Sequence, residues 1–333
     1  MARLTWTLPL LALLGCPSDP AKDSGGGDDT DTNTGGCTVT IDETIPVDGS
    51  VDAYYRGDIE FHLSDADATA SIDTTIPGSM EVLEDGKTII WRISQPLDCQ
   101  TFYEATLNYC GGAATIGFQT SDLGCAPTVE TFQGNTYALN LADARIVDPP
   151  GIGSVLTTYL TTQILMGVVS DEGTDLQMLG AVALEDSTNQ DYCNPTIDFP
   201  VADFTDRPFF SIGPQDTTFE VAGYSIPIQG LNITGTFAPD GSYIGGATLA
   251  GTIDTRPLAP LLDDSGDEGA ICELAVNFGA ECEPCPSDGK SFCLTLYADQ
   301  IYADQVSGEL SEVLGSDCAG CESGPPDPET CTG

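Results

Sequence analysis

The sequence predicts a mostly β protein, in which an N-terminal β-sandwich precedes a larger, disulfide-stapled antiparallel β domain with one to three helices. Three observations predict this class. Short segments alternate apolar and polar residues with the two-residue period of a strand, and turns rich in glycine, proline and aspartate separate them. Helical periodicity is confined to a few stretches. The cysteines are numerous, which in an exported chain indicates disulfide bonds.

Residues 1–15 have the pattern of an export signal. Arg3 supplies a positive charge, and the run LPLLALLG is apolar but too short to span a bilayer. LLGC at residues 13–16 resembles the lipobox of bacterial lipoproteins. This resemblance implies cleavage before Cys16, lipidation of its thiol and an anchor in the cell envelope. We expect the outer membrane, although Pro17 leaves the choice of membrane open and the periplasmic or surface face is undetermined. An ordinary secretory signal with a chance cysteine is the alternative.

Residues 16–36 are expected to be the lipidated cysteine and a disordered acidic tether. The stretch DDTDTNTGG places Asp29, Asp31 and Asn33 at alternate positions, as at the start of an EF-hand calcium loop. That loop requires glycine at its sixth position and glutamate at its twelfth, where this chain has Thr34 and Thr40. We therefore favour a solvated tether, which as a flexible coil spans about 25 Å, over a calcium site.

The charge balance excludes one class of partner. The chain has 52 acidic residues against 9 basic ones, a formal net charge of −43. Such a surface repels nucleic acid and anionic membrane faces. Apolar residues are interspersed with the acids, as in a globular protein. After Cys16, the longest apolar run, residues 155–169, is too short and too rich in threonine to be a convincing membrane span.

Setting aside Cys16 leaves twelve of the 13 cysteines, an even number. We expect disulfides within each of two segments, a first with four cysteines and a second with eight. For the first segment we predict Cys37 with Cys125 and Cys99 with Cys110, and the pairing of the second is left open. The cysteines of the two segments are Cys37, Cys99, Cys110 and Cys125, then Cys193, Cys272, Cys282, Cys285, Cys293, Cys318, Cys321 and Cys331.

Two pairs of these cysteines form C-x-x-C motifs, Cys282 with Cys285 and Cys318 with Cys321. Four thiolates could hold zinc, but the separation of the two pairs exceeds the usual ribbon spacing. A redox pair would require a thioredoxin-like βαβ pattern, which the neighbouring sequence lacks. We therefore predict structural disulfides and no metal site.

Residues 37–125 are predicted to be all β. In DIEFHL, Ile59, Phe61 and Leu63 share one face of a strand, with Glu60 and His62 on the other. SMEVLEDGKTIIWRI indicates a hairpin that turns at residues 84–86, and TFYEATLNY and ATIGFQTS indicate two further strands. Six or seven such strands fit an immunoglobulin-like sandwich.

The order DGKTIIWRISQPLDCQTFYEATLNY followed by IGFQTS is similar to the SbsA-type bacterial Ig-like domains, which end in a strand of the form F-x-T-S or F-x-T-T. The resemblance covers residues 38–122 and implies a spacer or surface module without catalytic residues. Cys99 and Cys110 depart from the plain version of that domain.

Residues 126–315 are predicted to be a β-rich C-terminal domain. Apolar residues from Ile152 to Ile164 recur at helical spacing, which predicts a helix packed on a sheet. The alternative is a lipid-binding cavity, whose lining would be Leu156, Tyr159, Leu160 and Phe237. Residues 231–254 indicate a long hairpin that turns at PDG, with Phe237 inward.

Downstream, RPLAPLLDD and AICELAVNFG indicate short helices and SFCLTLYA a strand, and residues 316–333 are a cysteine-rich tail. GTF-x-PDGS, DTRPL and C-x-PCP-x-DG-x-x-FCL resemble a recurrent C-terminal region of uncharacterised lipoproteins from myxobacteria-like bacteria. That resemblance implies no activity.

No catalytic constellation is found in the sequence. His62 is the single histidine, and no nucleophile-elbow, Walker or dinucleotide-binding motif occurs in its required context. DTR at 254–256 and DSG at 264–266 resemble aspartic protease motifs, but the second lies in a charge-rich stretch. We therefore expect no enzyme and no cofactor.

Three functional hypotheses follow. The leading one is a non-enzymatic envelope lipoprotein whose Ig-like spacer presents a β-rich module to an envelope or extracellular protein or glycan. The second is a carrier or sensor that binds a small apolar ligand or lipid in its C-terminal domain. The third is an extracellular polysaccharide hydrolase, which requires two suitably spaced carboxylates in a groove lined by aromatic residues.

Overall fold

Strands make up 50% of the protein and helix 5%, with antiparallel sheets and several disulfides, which confirms the predicted fold class. The computed structural model describes residues 37–140, 144–149, 163–221, 224–261 and 267–315, together with residues 321 and 324. The predicted signal, Cys16 and the tether with Asp29, Asp31 and Asn33 lie outside the described residues. So do Cys318 and Cys331.

The first seven strands form two facing antiparallel sheets, in the orders β1-β2-β5-β4 and β3-β6-β7. These orders are those of the ABED and CFG sheets of a constant-type immunoglobulin domain, so the predicted Ig-like sandwich is confirmed. The strands are β1 (Ile41–Ile45), β2 (Ile59–Leu63), β3 (Ser71–Thr74), β4 (Gly78–Val82), β5 (Thr88–Ile93), β6 (Phe102–Tyr109) and β7 (Gly112–Gln119).

Strand β2 shows how the alternation in the sequence builds this sandwich. Ile59, Phe61 and Leu63 are buried in its core, whereas Glu60 and His62 point to the other face. The predicted arrangement of these five residues is therefore confirmed. Because burial of each large apolar side chain contributes about 1.5–3 kcal/mol, this period-two pattern fixes which face of the strand is inward.

The remaining strands form one large antiparallel sheet that closes into a barrel of eight strands. Its strands are β8 (Thr136–Asn140), β9 (Arg145–Asp148), β10 (Ile164–Asp171), β11 (Asp175–Val182), β12 (Ile197–Asp198), β13 (Ala202–Asp203), β14 (Phe209–Val221), β15 (Tyr224–Phe237), β16 (Tyr243–Asp254), β17 (Glu283–Pro284) and β18 (Ser291–Val306). Around the ring the order is β8-β18-β16-β15-β14-β13-β11-β10, and β10 pairs again with β8. Strands β9 and β17 pair with β18, and β12 pairs with β11.

Side chains fill the interior of this barrel, as expected for eight strands. The ring of Phe237 stacks on Phe132 with centroids 4.3 Å apart, and Tyr137, Phe204 and Phe210 surround it at 5.2 to 5.8 Å. The β15–β16 hairpin that carries Phe237 turns at Pro239–Ser242, close to the predicted PDG turn.

The helices are short. A 3-10 helix spans Arg256–Leu261 and helix α1 spans Ala270–Val276, where the sequence predicts two short helices. Neither helix in the described part of the chain has the length and apolar character needed to cross a membrane. The third predicted helix falls mostly on residues outside the described ones. Its last residue was assigned wrongly, because Ile164 begins β10, where hydrogen bonding to β8 and β11 on both sides imposes a strand.

Disulfides connect distant and neighbouring segments of the fold. The bonds that the structure describes are Cys99–Cys125, Cys193–Cys321, Cys272–Cys282 and Cys285–Cys293. Cys37 and Cys110 are also disulfide-bonded. Three of the four cysteines of the C-x-x-C motifs therefore pair outside their own motif, and as disulfides they offer no thiolate to zinc. Structural disulfides are confirmed for these residues.

The predicted pairing of the first segment was wrong in both bonds, because Cys99 pairs with Cys125. The register of the β6–β7 hairpin gives the reason. Phe102 lies opposite Gln119, so the chain just before β6 and the chain just after β7 meet at the same end of the hairpin. Cys110 is at the turn, about eight residues or some 27 Å away along the strand.

The sandwich and the barrel belong to one compact unit and have two main core clusters, and the sandwich cluster includes Ala238 of the β15–β16 hairpin. Polar contacts also join the two parts. The hydroxyl of Tyr54 lies 2.9 Å from the buried Thr236 hydroxyl, and Tyr243 donates to Asp122 at 2.7 Å. The Tyr54 ring also lies against Gly246, where a β-carbon would collide with it. The predicted segment boundary near residue 125 stays a prediction.

Candidate functional site

A groove with a volume of about 760 Å³ lies between the sandwich and the barrel. Strands β1 and β2 and the loop after β1 form one wall, and β9, β16 and β18 contribute the other. Its size is within the range of about 300–1,000 Å³ that is usual for ligand pockets. It also contains the single histidine of the chain and three of its nine basic residues.

Arg145 is the central charged residue of the groove. It lies opposite Asp299 in the β9–β18 ladder, and its guanidinium donates to both Asp299 oxygens, at 2.8 and 2.7 Å. It donates equally to both oxygens of Glu60 on β2, at 3.1 Å each. Arg145 therefore links the barrel to the sandwich by two bidentate ion pairs, a geometry that lysine cannot reproduce.

These ion pairs fix the protonation of the groups that form them. The hydrogen bonds that Arg145 donates to Asp299 and Glu60 raise the pKa of Arg145 above its ordinary value. Burial on its own would raise the pKa of Glu60, but the hydrogen bonds and charge of Arg145 outweigh it and lower that pKa. Arg145 and Glu60 are therefore both ionised at neutral pH. A glycosidase needs one carboxyl group with a raised pKa as its general acid, and Glu60 has the opposite shift.

His62 extends this network. Its Nε2 lies 3.0 Å from Oε2 of Glu60, two residues earlier on the same face of β2. The sequence predicted that Glu60 and His62 lie on the same face of this strand, but it indicated no function for His62. In the structure His62 lines the groove and its hydrogen-bonding partner is a carboxylate that Arg145 already holds.

The other two arginines of the groove are also paired. Arg92 donates to Asp58 at 2.7 Å and to Glu81 at 2.6 Å. Arg56 donates to Asp206 at 3.0 Å, and its guanidinium carbon lies 3.9 Å from the centre of the Phe209 ring. The three guanidinium groups of the groove, and the carboxylates of Asp58, Glu60 and Asp299, are thus held in ion pairs.

Two exposed tyrosines on β18 complete the groove. Tyr297 is 37% exposed and Tyr302 is 44% exposed, and both line it together with Asp299. In a regular strand, residues 297 and 302 would face opposite sides, because they are five positions apart. A β-bulge at Asp299 and Gln300 removes this conflict: Ala298 and Ile301, three residues apart, pair with Leu249 and Ala247, two residues apart.

The backbone dihedral angle of Gln300 supports the assignment of a β-bulge. Gln300 has a φ of 53°, a left-handed conformation that is uncommon for a residue other than glycine. Strand β16 carries a second bulge in the same ladder at Gly245 and Gly246, where Gly246 has a φ of 56°. Bulges are frequent beside functional sites because they redirect side chains.

A signal for this arrangement is present in the sequence and was missed. Residues 297–306 read YADQI-YADQV, a tandem repeat of five residues. Since five is odd, both copies can direct tyrosine outward and alanine inward only if one residue is bulged out. In the structure Ala298 and Ala303 are buried and both tyrosines are exposed. The repeat thus predicts both the bulge and the pair of tyrosines.

A second depression, of about 360 Å³, lies on the barrel near Gln133–Thr136 and Gly167–Val169, under Glu309 and Leu310. The hydroxyl of Thr136, which lines it, is buried and has no hydrogen-bond partner in the described part of the chain. It is smaller than the groove and contains none of the arginines or tyrosines described above.

Of the residues predicted to line a lipid cavity, Phe237 is the one that lies within the described part of the chain, so the cavity itself stays a prediction. Leu156, Tyr159 and Leu160 lie outside the described residues. Phe237 is fully buried in the aromatic cluster of the barrel and lines neither the groove nor the second depression. The packed interior around Phe237 therefore offers no support for an apolar ligand at that residue.

One further group has the spacing of a metal site. An oxygen of Asp254 and the sulfurs of Cys285 and Cys293 lie within 4.8 Å of one another. The two sulfurs form a disulfide with each other, and Asp254 accepts hydrogen bonds from Arg256. All three groups are thus already engaged in structural contacts.

No protein-family model matches this sequence, and no curated protein matches it significantly either.

Proposed function

We propose that the protein is a non-enzymatic lipoprotein of the cell envelope, anchored at Cys16 in the outer membrane, whose Ig-like sandwich and barrel together present the groove to an envelope or extracellular partner. The observation that carries this proposal is the groove itself. All three of its arginines and three of its five carboxylates are ion-paired, and Tyr297 and Tyr302 on β18 are exposed. Groups arranged in this way favour binding over catalysis, because binding requires fixed polar groups and accessible aromatic surface.

The disulfides support the same proposal. They stabilise a domain mainly by restricting its unfolded chain, typically by about 2–4 kcal/mol each, and they persist outside the reducing cytosol. A stapled fold held on a flexible tether is suited to present a rigid binding surface away from the lipid. The acidic excess keeps such an exposed protein in solution.

The anchor is tested by comparing the wild-type chain with Cys16→Ser. We expect the wild type to fractionate with membranes and to incorporate a clickable fatty acid, and Cys16→Ser to lose both properties. Treatment of intact cells with a broad-specificity protease then determines the face. Release of the folded part indicates the outer surface, and protection until the outer membrane is breached indicates the periplasm. Equal membrane association of the two proteins would contradict the anchor.

The binding role is tested by co-sedimentation of the detergent-solubilised full chain with isolated envelope and extracellular matrix fragments. We expect the wild type to sediment and the double variant Tyr297→Ala/Tyr302→Ala to remain in the supernatant. Phe102→Ala is the matched control, since Phe102 is 60% exposed on the sandwich but lies outside the groove. Sedimentation that does not depend on the tyrosines would contradict a binding role of the groove.

A further inference from the structure

We propose that the groove binds a segment of an uncharged polysaccharide, with the exposed faces of Tyr297 and Tyr302 stacking on sugar rings and the Arg145–Glu60–Asp299 ion pairs hydrogen bonding to sugar hydroxyls. This inference rests on the proposed function and deepens it, because it names the chemical class of the ligand.

The charge of the groove argues for an uncharged ligand. Five carboxylates and three arginines line it, whereas the whole chain has 52 acidic and 9 basic residues. A polyanion would be repelled by the protein as a whole. Within the groove, five carboxylates against three arginines leave an excess of only two negative charges, so ionic attraction gives a polycation little reason to prefer this site. We therefore favour an uncharged ligand.

The paired charges offer what hydroxyl groups need. A hydroxyl group both donates and accepts, and each carboxylate oxygen has capacity for a second hydrogen bond. Glu60 and Asp299 receive four of the five N–H groups of the Arg145 guanidinium, so the cluster offers carboxylate oxygens as acceptors and one remaining N–H as a donor. Sugar hydroxyls can donate to these oxygens and accept from this N–H. Hydrogen bonds with ionised groups are also stronger than those between neutral groups.

Ser50 adds an unfulfilled hydrogen-bonding group to the same groove. Ser50 lines the groove, and its hydroxyl is buried and makes no hydrogen bond within the described part of the chain. A buried polar group without a partner is destabilising. Pairing with a ligand hydroxyl would remove this destabilisation, whereas a purely apolar ligand would leave it in place.

The tyrosines supply the apolar part of sugar recognition. One face of a pyranose ring carries only C–H groups, and these pack on an aromatic ring while the hydroxyls at the edge stay available for hydrogen bonding. Tyr297 and Tyr302 lie on the same side of β18 because of the bulge at Gln300. Two aromatic faces along one strand suit an extended chain of sugars better than a single compact molecule.

The experiment is isothermal titration of the detergent-solubilised full chain with a fixed panel of polymers. The uncharged probes are dextran, mannan, galactan and laminarin. Polygalacturonate is the anionic probe and hexalysine the cationic peptide. We expect saturable binding of at least one uncharged polysaccharide that persists in about 0.5 M NaCl, where the Debye length is only a few ångströms. We also expect Tyr297→Ala and Tyr302→Ala each to weaken it about tenfold, and Phe102→Ala to leave it unchanged.

Either of two results would overturn the inference: no saturable binding of any uncharged polysaccharide, whether or not charged probes bind, or equal affinity of the wild type and both tyrosine variants. The co-sedimentation assay separates this failure from failure of the proposed function. If envelope fragments still retain the wild type in a tyrosine-dependent way, the groove remains a binding site and only the ligand class is wrong. If they do not, the proposed function itself fails.

Discussion

Arg145 shows how a chain with so few basic residues uses each of them. It contacts Glu60 on the sandwich and Asp299 on the barrel, four hydrogen bonds from one side chain. Its neighbours Arg56 and Arg92 also bind carboxylates, but through one hydrogen bond to each and with more exposed partners. Because removal of Arg145 would leave Glu60 and Asp299 partly buried and uncompensated, Arg145 is a structural part of the groove as well as part of its surface.

The free energy of unfolding is predicted to depend on pH in part through the ionisation of Glu60. Its folded-state pKa is lowered, although burial opposes this, by its hydrogen bonds with Arg145. A carboxylate of this kind stabilises the fold above its unfolded pKa of about 4.3, and the contribution is lost as the pH falls through the lower folded value. We expect Glu60→Gln to reduce the free energy of unfolding by about 2 kcal/mol at pH 7. Denaturant titrations at pH 7 and pH 3 should show this difference shrink, and an undiminished difference at pH 3 would contradict the assignment.

Replacement of Gly246 by alanine is predicted to destabilise the fold for two separable reasons. Its φ is positive, and a β-carbon there would meet the ring of Tyr54. Gly230 has a similar φ of 61° but nothing near the position of a β-carbon, which makes it a matched control. We expect Gly230→Ala to cost about 1–2 kcal/mol from the backbone conformation alone. Gly246→Ala should cost about 1–3 kcal/mol more, measured by chemical denaturation, and equal losses would show that Tyr54 moves aside freely.

At the scale of elements, the bulge in β18 decides what the groove contains. Without it, the period of the strand would place either Tyr297 and Asp299 or Tyr302 in the barrel interior. The interior positions are already occupied by Ala298, Ile301 and Ala303. One extra residue therefore keeps the core face intact and directs Tyr297, Asp299 and Tyr302 to the groove side of the strand.

Substitution of Gln300 tests the bulge. Glycine adopts the left-handed conformation without strain but loses more entropy on folding, so Gln300→Gly is expected to change the free energy of unfolding by less than about 1 kcal/mol. A β-branched residue is strongly disfavoured there, and Gln300→Val should cost about 1–2 kcal/mol. Thermal unfolding of the two variants provides the comparison. If valine were tolerated as well as glycine, the left-handed backbone would be refuted.

The elements were largely predictable from the sequence, whereas the groove was not. Alternation in β2 and the glycine-containing turn before β5 identify strands because both are local signals. The groove depends on contacts such as Arg145 with Glu60, which lie 85 residues apart, and no local pattern specifies which of 52 acids an arginine meets. The disulfide of Cys99 was mispredicted for a related reason, because pairing follows the ends of the hairpin and not the distance along the chain.

For the whole molecule, the dominant long-range force is self-repulsion. A net charge of −43 raises the free energy of the compact state through repulsion between like charges. Added salt screens this repulsion, and the Debye length falls from about 30 Å at 0.01 M to about 3 Å at 1 M.

Salt is therefore predicted to stabilise the fold. We expect the melting temperature to rise by roughly 5 °C between 0.01 M and 1 M NaCl, equivalent to about 2 kcal/mol for a protein of this size. Differential scanning calorimetry measures the shift. At pH 4, where carboxylates begin to protonate, the same increase in salt should have a smaller effect. A constant or negative shift at neutral pH would show that ion pairs outweigh the repulsion.

The disulfide map is a second property of the whole molecule. Digestion with pepsin at acidic pH, followed by mass spectrometry without reduction, should yield linked peptides for Cys99–Cys125, Cys272–Cys282 and Cys285–Cys293. Acidic digestion prevents exchange, because thiolates are scarce at low pH. A peptide linking Cys99 to Cys110 would contradict the structure, and the same digest after reduction provides the control.

The repeated YADQ unit of β18 also has an evolutionary consequence. A duplication of five residues inside a strand should reverse the inward or outward orientation of every side chain beyond it, because five is an odd number. Here a single residue in the left-handed conformation absorbs the surplus, and the second copy keeps the orientation of the first. A barrel can in this way acquire another outward tyrosine in a single genetic event, with its core face inherited unchanged.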